Sequence, residues 1–178
     1  MQNDFYQKIA SSSAHRESRD TLKNYVFENP MFLEDLISIG FSNTDKNHHK
    51  ACWILELICE EKIAIFIPFI DLFCSSLHKI SDESSLRSLT KICLFLSKNK
   101  QIKLSSFQEE KIIECCFDCL IKTDKTANAA YSMRTLYNLS TKYNWIKEEL
   151  IAILSKDIST KPSGYRFAVK DILKKLNP

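Results

Sequence analysis

Only two glycines, Gly40 and Gly164, occur in a chain of 178 residues, and few folds can be built under that restriction. The turns of antiparallel hairpins call on glycine for positive φ, and phosphate-cradling loops use it for close backbone approach. Long helices joined by polar loops need almost none. The chain is therefore expected to be all-α. Its length suits about one domain with a core of its own. With 44% apolar and 26% charged residues it reads as globular rather than disordered.

Hydrophobic spacing supports this reading. Between Ser106 and Ile121, the apolar residues Ile112, Ile113, Cys116, Phe117, Leu120 and Ile121 recur at helical intervals. Glu109, Glu110, Glu114 and Asp118 fall on the other side, which is the pattern of an amphipathic helix with acids in its first turn. The same spacing predicts helices over 3–10, 15–28, 30–39, 46–60, 63–78, 82–98, 106–122, 126–143, 145–157 and 163–176. Asn29-Pro30 places proline at a first helical position. Ser81-Asp82-Glu83, Ser105-Ser106 and Thr123-Asp124 offer side-chain oxygens to unpaired N–H groups. Pro162-Ser163-Gly164 breaks the chain before the last helix. Pro68 either kinks the helix over 63–78 or sits near its start.

A longer period lies above the helical one. Leu55, Ile92, Leu136 and Ile172 occupy like places in four helices. Each follows another amphipathic helix, so the chain divides into helix pairs over about 29–61, 63–99, 105–143 and 145–176. One pair alone cannot hide its apolar stripe, whereas stacked neighbours bury it continuously. The two helices within 1–28 would cap the array. One repeat domain over 1–178 is expected.

Residues 46–99 carry a resemblance. Cys52, Trp53, Leu55 and Ile58 lead into Ile67-Pro68-Phe69, then Asp82 and Arg87 open the next helix. This resembles HEAT repeats, whose first helix often holds a proline and whose second often opens with an acid and an arginine. More narrowly, it looks like a group of small bacterial HEAT-like proteins of unknown function, some automatically labelled adenylosuccinate lyase. Pro is missing from the third and fourth pairs. The resemblance implies a right-handed α-α superhelix, an armadillo-type HEAT-like solenoid. The lyase label finds no support, because the Met-Pro-x-Lys-x-Asn signature of that much longer enzyme is absent.

Chemistry-bearing residues are sparse. Seven cysteines, mostly inside apolar helical stretches, read as free thiols in a reducing cytoplasm. Cys116 and Cys119 form a Cys-x-x-Cys in mid-helix, where no helix terminus lowers a thiol pKa. Cys115 and Cys119, one turn apart, invite adventitious oxidation. No second ligand pair suits zinc, and His48-His49 at a helix start has no evident carboxylate partner. No metal, cofactor or catalytic set is expected, and Glu60-Glu61, Glu109-Glu110 and Glu148-Glu149 read as solvated residues at helix ends. The opening Met-Gln-Asn-Asp-Phe-Tyr shows no signal peptide. The apolar run from Ile63 to Phe73 is too short to span a bilayer.

The remaining candidate is a surface. Trp53 falls opposite the stripe of Cys52, Leu55, Ile58 and Cys59, on the side of His49, Glu56 and Glu60. It either lines the inner face of the repeats or packs on a neighbour. Its matching places are Thr90, Arg134 and Lys170, a line that turns basic toward the C-terminus, flanked by Arg87, Tyr131, Tyr137, Asn138 and Arg166. Residues 1–89 hold nine basic and thirteen acidic residues, whereas 90–178 hold sixteen and nine. Most of the basic residues are lysines, spread along solvated faces. The expected function is a non-catalytic protein-interaction or scaffolding module using the concave face. Phe5, Tyr6, Tyr165 or Phe167 could serve self-association. The alternative is nucleic-acid binding, by fold analogy with HEAT-like alkylpurine DNA glycosylases, with Trp53, Arg134 and Arg166 as counterparts of their Trp and Arg.

Overall fold

The computed structural model describes residues 2–122 and 125–177; the proposed cap at Thr123-Asp124 lies outside them. Among the described residues all regular structure is helical. The helices are α1 (Gln2–Ser11), α2 (Arg16–Glu28), α3 (Phe32–Gly40), α4 (His48–Lys62), α5 (Ile70–Ser76), α6 (Glu83–Lys98), α7 (Ser106–Lys122), α8 (Thr126–Ser140), α9 (Asn144–Leu154) and α10 (Ser163–Leu176). Each expected helix is present, with one change of form. The segment over 63–78 is not continuous. A 3-10 stretch, Ile63–Phe69, contains Pro68 and precedes the short α5, and a 3-10 turn, Leu77–Lys79, follows it. Proline lacks the N–H that a helix interior needs, so the α-helix starts only after it. Pro30 likewise sits in the turn before α3, where its carbonyl accepts from Leu33 at 3.1 Å.

Side-chain oxygens define several helix starts. Asp82 Oδ1 accepts the Ser85 N–H at 2.9 Å and caps α6. Ser105 and Gln108 satisfy each other's backbone N–H groups before α7, at 3.2 and 2.9 Å. This reciprocal pairing is a capping box.

The chain forms two compact units, Met1–Ile92 and Cys93–Pro178, with the division inside α6. In the first unit α4 is central and packs on α1, α2 and α3. Its Ile54, Leu55, Leu57 and Ile58 are all buried, so it is apolar around most of its girth. Gly40 allows α3 to approach it: a Cβ there would meet Leu55 Cδ1 at 3.0 Å. In the second unit α8 is central and packs on α7, α9 and α10. The four repeat anchors, Leu55, Ile92, Leu136 and Ile172, are all buried.

Some apolar side chains sit elsewhere than expected. Phe5 is fully buried, stacked on Phe32 with ring centroids 4.6 Å apart, and Tyr165 is buried as well. Phe167 is the exposed one, at 70%. Ile121 is exposed and Cys119 takes a buried place in α7.

Candidate functional site

In the first unit, α4 and α6 are joined by a row of polar side chains. The Trp53 indole N–H donates to Ser84 Oγ at 2.9 Å, and the ring meets His49 edge-on at 5.1 Å between centroids. Trp53 is therefore half-buried, held by its neighbour on α6. His49 shares this half-buried setting, and burial pushes its pKa below the usual imidazole value.

Glu56, placed by sequence on the outward side, is only 1% exposed. Its Oε2 accepts from Ser88 Oγ at 2.7 Å and Arg87 at 3.3 Å, and its Oε1 accepts from Lys91 Nζ at 2.9 Å. Lys91 also reaches Glu60 at 3.1 Å. A buried carboxylate persists only when its oxygens are hydrogen-bonded and its charge is balanced, and here both conditions hold. Thr90 is likewise buried. Its hydroxyl donates back to the Leu86 carbonyl at 2.7 Å, so no outside partner is needed and it offers no surface. The ion pairs extend to α2. Arg16 reaches Asp20 at 2.8 Å and Glu60 at 3.4 Å, while Lys23 reaches Asp20 at 3.1 Å and Glu61 at 2.6 Å.

Ser85, His48 and Asp82 meet in the order of a hydrolase triad. Ser85 Oγ lies 3.3 Å from His48 Nδ1, and His48 Nε2 lies 3.4 Å from Asp82 Oδ2. Ser85 has 0% exposure, so no substrate carbonyl can reach its hydroxyl, and Asp82 is already the α6 cap. The group fastens α4 to α6.

The cysteines are thiols, and all but Cys115 are buried. Burial pushes Cys52 and Cys74 up to about 12, which leaves them protonated and unreactive at neutral pH. The Cys52 thiol donates to the Gly40 carbonyl at 3.2 Å. Cys115 is held up by its hydrogen bond to Cys119 and by burial. Among the described residues no group of three His, Cys, Asp or Glu is arranged to hold a metal ion.

In the second unit, Glu109 departs from its expected solvated role. It is buried and accepts from Lys142 Nζ at 2.6 Å and from the Tyr143 hydroxyl. That contact raises the Tyr143 pKa. Glu109 borders a cavity of about 370 Å³ shared with Leu96, Lys103, Leu104 and Leu139. Of the residues expected on α8 and α10, Arg134 and Tyr137 are half-buried, and Arg166 and Lys170 are exposed. Lys175 Nζ lies 6.0 Å from the centre of the Tyr137 ring, at the junction of the two helices.

A family model for the HEAT repeat domain matches residues 6–176. The chain belongs to the HEAT repeat family. Neither the comparison with curated proteins nor the one with solved structures returned a match. HEAT membership accounts for the helix pairs and for the buried anchors at like places in α4, α6, α8 and α10. In the helix pairs expected from the sequence, α4, α6, α8 and α10 are the second helices. The structure thus divides the candidate surface by unit. Around Trp53 the HEAT second helices turn their polar groups on each other. On α10, Arg166 and Lys170 are exposed, and on α8, Arg134 and Tyr137 are half-buried.

Sequence reasoning missed the Glu56 cluster. Its signal was present as Arg87, Ser88 and Lys91 on one side of α6, a donor set aimed at one acid in the preceding repeat.

Proposed function

We propose that this HEAT repeat domain is a non-catalytic protein-interaction or scaffolding module that works through the second-helix face of its repeats. One observation carries the reading: Arg134, Tyr137, Arg166 and Lys170 stay accessible on two adjacent second helices. Repeat arrays bind through such side chains because their rigid cores hold neighbouring helices in fixed register. Seven thiols without a disulfide suit a reducing cytoplasm. Among the described residues no helix is long and apolar enough to cross a membrane.

The test is a paired pull-down with chemical crosslinking. Tagged chain and its Arg134→Ala, Tyr137→Ala double variant are compared at several salt levels. A protein recovered with the first and lost with the second is expected. Recovery of the bait alone, or of the same proteins by both, would overturn the assignment.

Nucleic-acid binding is the second reading, favoured by the accessible Arg134, Arg166 and Lys170. Against it, Trp53 is tied to Ser84 and is not free to stack on a base. Phosphate contacts would make binding to duplex DNA fall steeply with salt. No mobility shift at low salt would remove this reading.

A further inference from the structure

In the first unit the second helices neutralise their own cations. Lys91 is paired with Glu56 and Glu60, and Arg87 is paired with Glu56. Aligning the repeats on Leu55, Leu136 and Ile172 shows what the second unit lacks. The place of Glu56 is taken by Tyr137 in α8 and Leu173 in α10, and that of Glu60 by Thr141 and Asn177. The carboxylates have gone while the cations have multiplied.

Arg166, Lys170 and Lys174 follow one another along a single stripe of α10, opposite the buried Val169, Ile172 and Leu176. Phe167 borders that stripe beside Lys170 and Lys174 and is 70% exposed. Arg134 stands on α8, which packs directly on α10. None of these four cations forms an ion pair with a described residue, whereas the neighbouring Lys175 is held by Asp171 at 2.8 Å. These unpaired positive charges, three of them on the helix that carries the exposed ring, make a surface whose complement is negative and partly apolar.

We infer that the α8–α10 face docks an acidic segment of a partner protein. Its carboxylates pair with Arg134, Arg166, Lys170 and Lys174, as Glu56 and Glu60 pair with Lys91 in the first unit, and an apolar side chain covers Phe167. The inference rests on the interaction-module reading and names the chemistry of its partner. An acidic peptide fits better than a nucleic acid for two reasons. The four cations of this face would neutralise few phosphates, and phosphate neutralisation supplies most of the affinity of a protein for DNA. An exposed phenylalanine between cations also suits an amphipathic protein segment, in which arginines and aromatics form the contact core. Charge complementarity of this kind governs encounter rate and specificity, and it weakens with salt.

The test uses the full chain and three labelled probes followed by fluorescence anisotropy: a short oligoglutamate peptide with interspersed leucines, an oligolysine of equal length, and a short DNA duplex. The glutamate probe should bind at low salt, weaken as salt rises, and bind better than either other probe. Arg166→Glu with Lys170→Glu should weaken it by about tenfold or more. Both side chains are exposed, so the variant should keep its circular dichroism and melting temperature. Lys170→Arg should retain binding. Absence of glutamate binding, insensitivity to charge reversal, or a preference for the duplex would each overturn the inference. The charge-reversed variant is also carried through the pull-down. Partners retained by it would leave the module reading standing and remove the acidic dock; bait alone from both forms would end both.

Discussion

At the scale of single residues, Glu56 is a carboxylate held almost entirely out of water. It holds Ser88, Arg87 and Lys91 from within the core. Removing it leaves the mostly buried Lys91 without one of its two acids. Glu56→Ala should therefore cost about 3 kcal/mol in urea denaturation. A loss within the range of ordinary surface substitutions would mean the cluster is not formed. His49 offers a pH test. Its folded pKa lies below 6.5 because burial disfavours the charged ring, so the unfolded chain binds the proton more readily. The contribution of His49 is complete above pH 6.5 and declines as pH falls through and below that value. Melting temperatures from pH 7.5 to 5.5 should fall further for the natural chain than for His49→Gln. Parallel curves would contradict the assignment.

At the scale of elements, Leu136 is fully buried on α8, the helix that packs on α7, α9 and α10. Leu136→Ala should cost roughly 2–5 kcal/mol, depending on how far the surrounding helices relax into the space left. Native stability in that variant would remove α8 from the core. The helices were legible because each carries an apolar stripe at a period no strand shares, and because Asp82 and Ser105 cap where their spacing implies. The break at Pro68 was legible as a disturbance but not as a 3-10 stretch. Its form depends on how the freed backbone groups are satisfied, and pattern is blind to that. The buried states of Glu56 and Glu109 were hidden for a related reason. A hydrophobic pattern places every acid outside, while the partners that let these two stay inside lie more than thirty residues away. Thr90 was hidden because its own helix satisfies it. The exposure of Arg166 and Lys170 was readable because the apolar stripe of α10 fixes which of its positions are turned to water.

At the scale of the whole molecule, HEAT membership over residues 6–176 and the burial of four anchors at like places express one physical requirement. An apolar stripe wider than one helix pair can cover must be covered by the pair beside it. Polar contacts then vary from repeat to repeat on a constant apolar base. In the first unit Glu56 and Glu60 hold Arg87 and Lys91, whereas in the second Arg166 and Lys170 stay exposed.

The most direct measurement is amide hydrogen exchange followed by mass spectrometry on the intact chain in native buffer. Peptides containing Leu55, Ile92, Leu136 and Ile172 should be the slowest to exchange, opening only with the global unfolding of the unit that holds them. Rapid exchange in any one of these four segments, while the others stay protected, would show an anchor helix that its neighbours do not shield, and the repeat account would fail there.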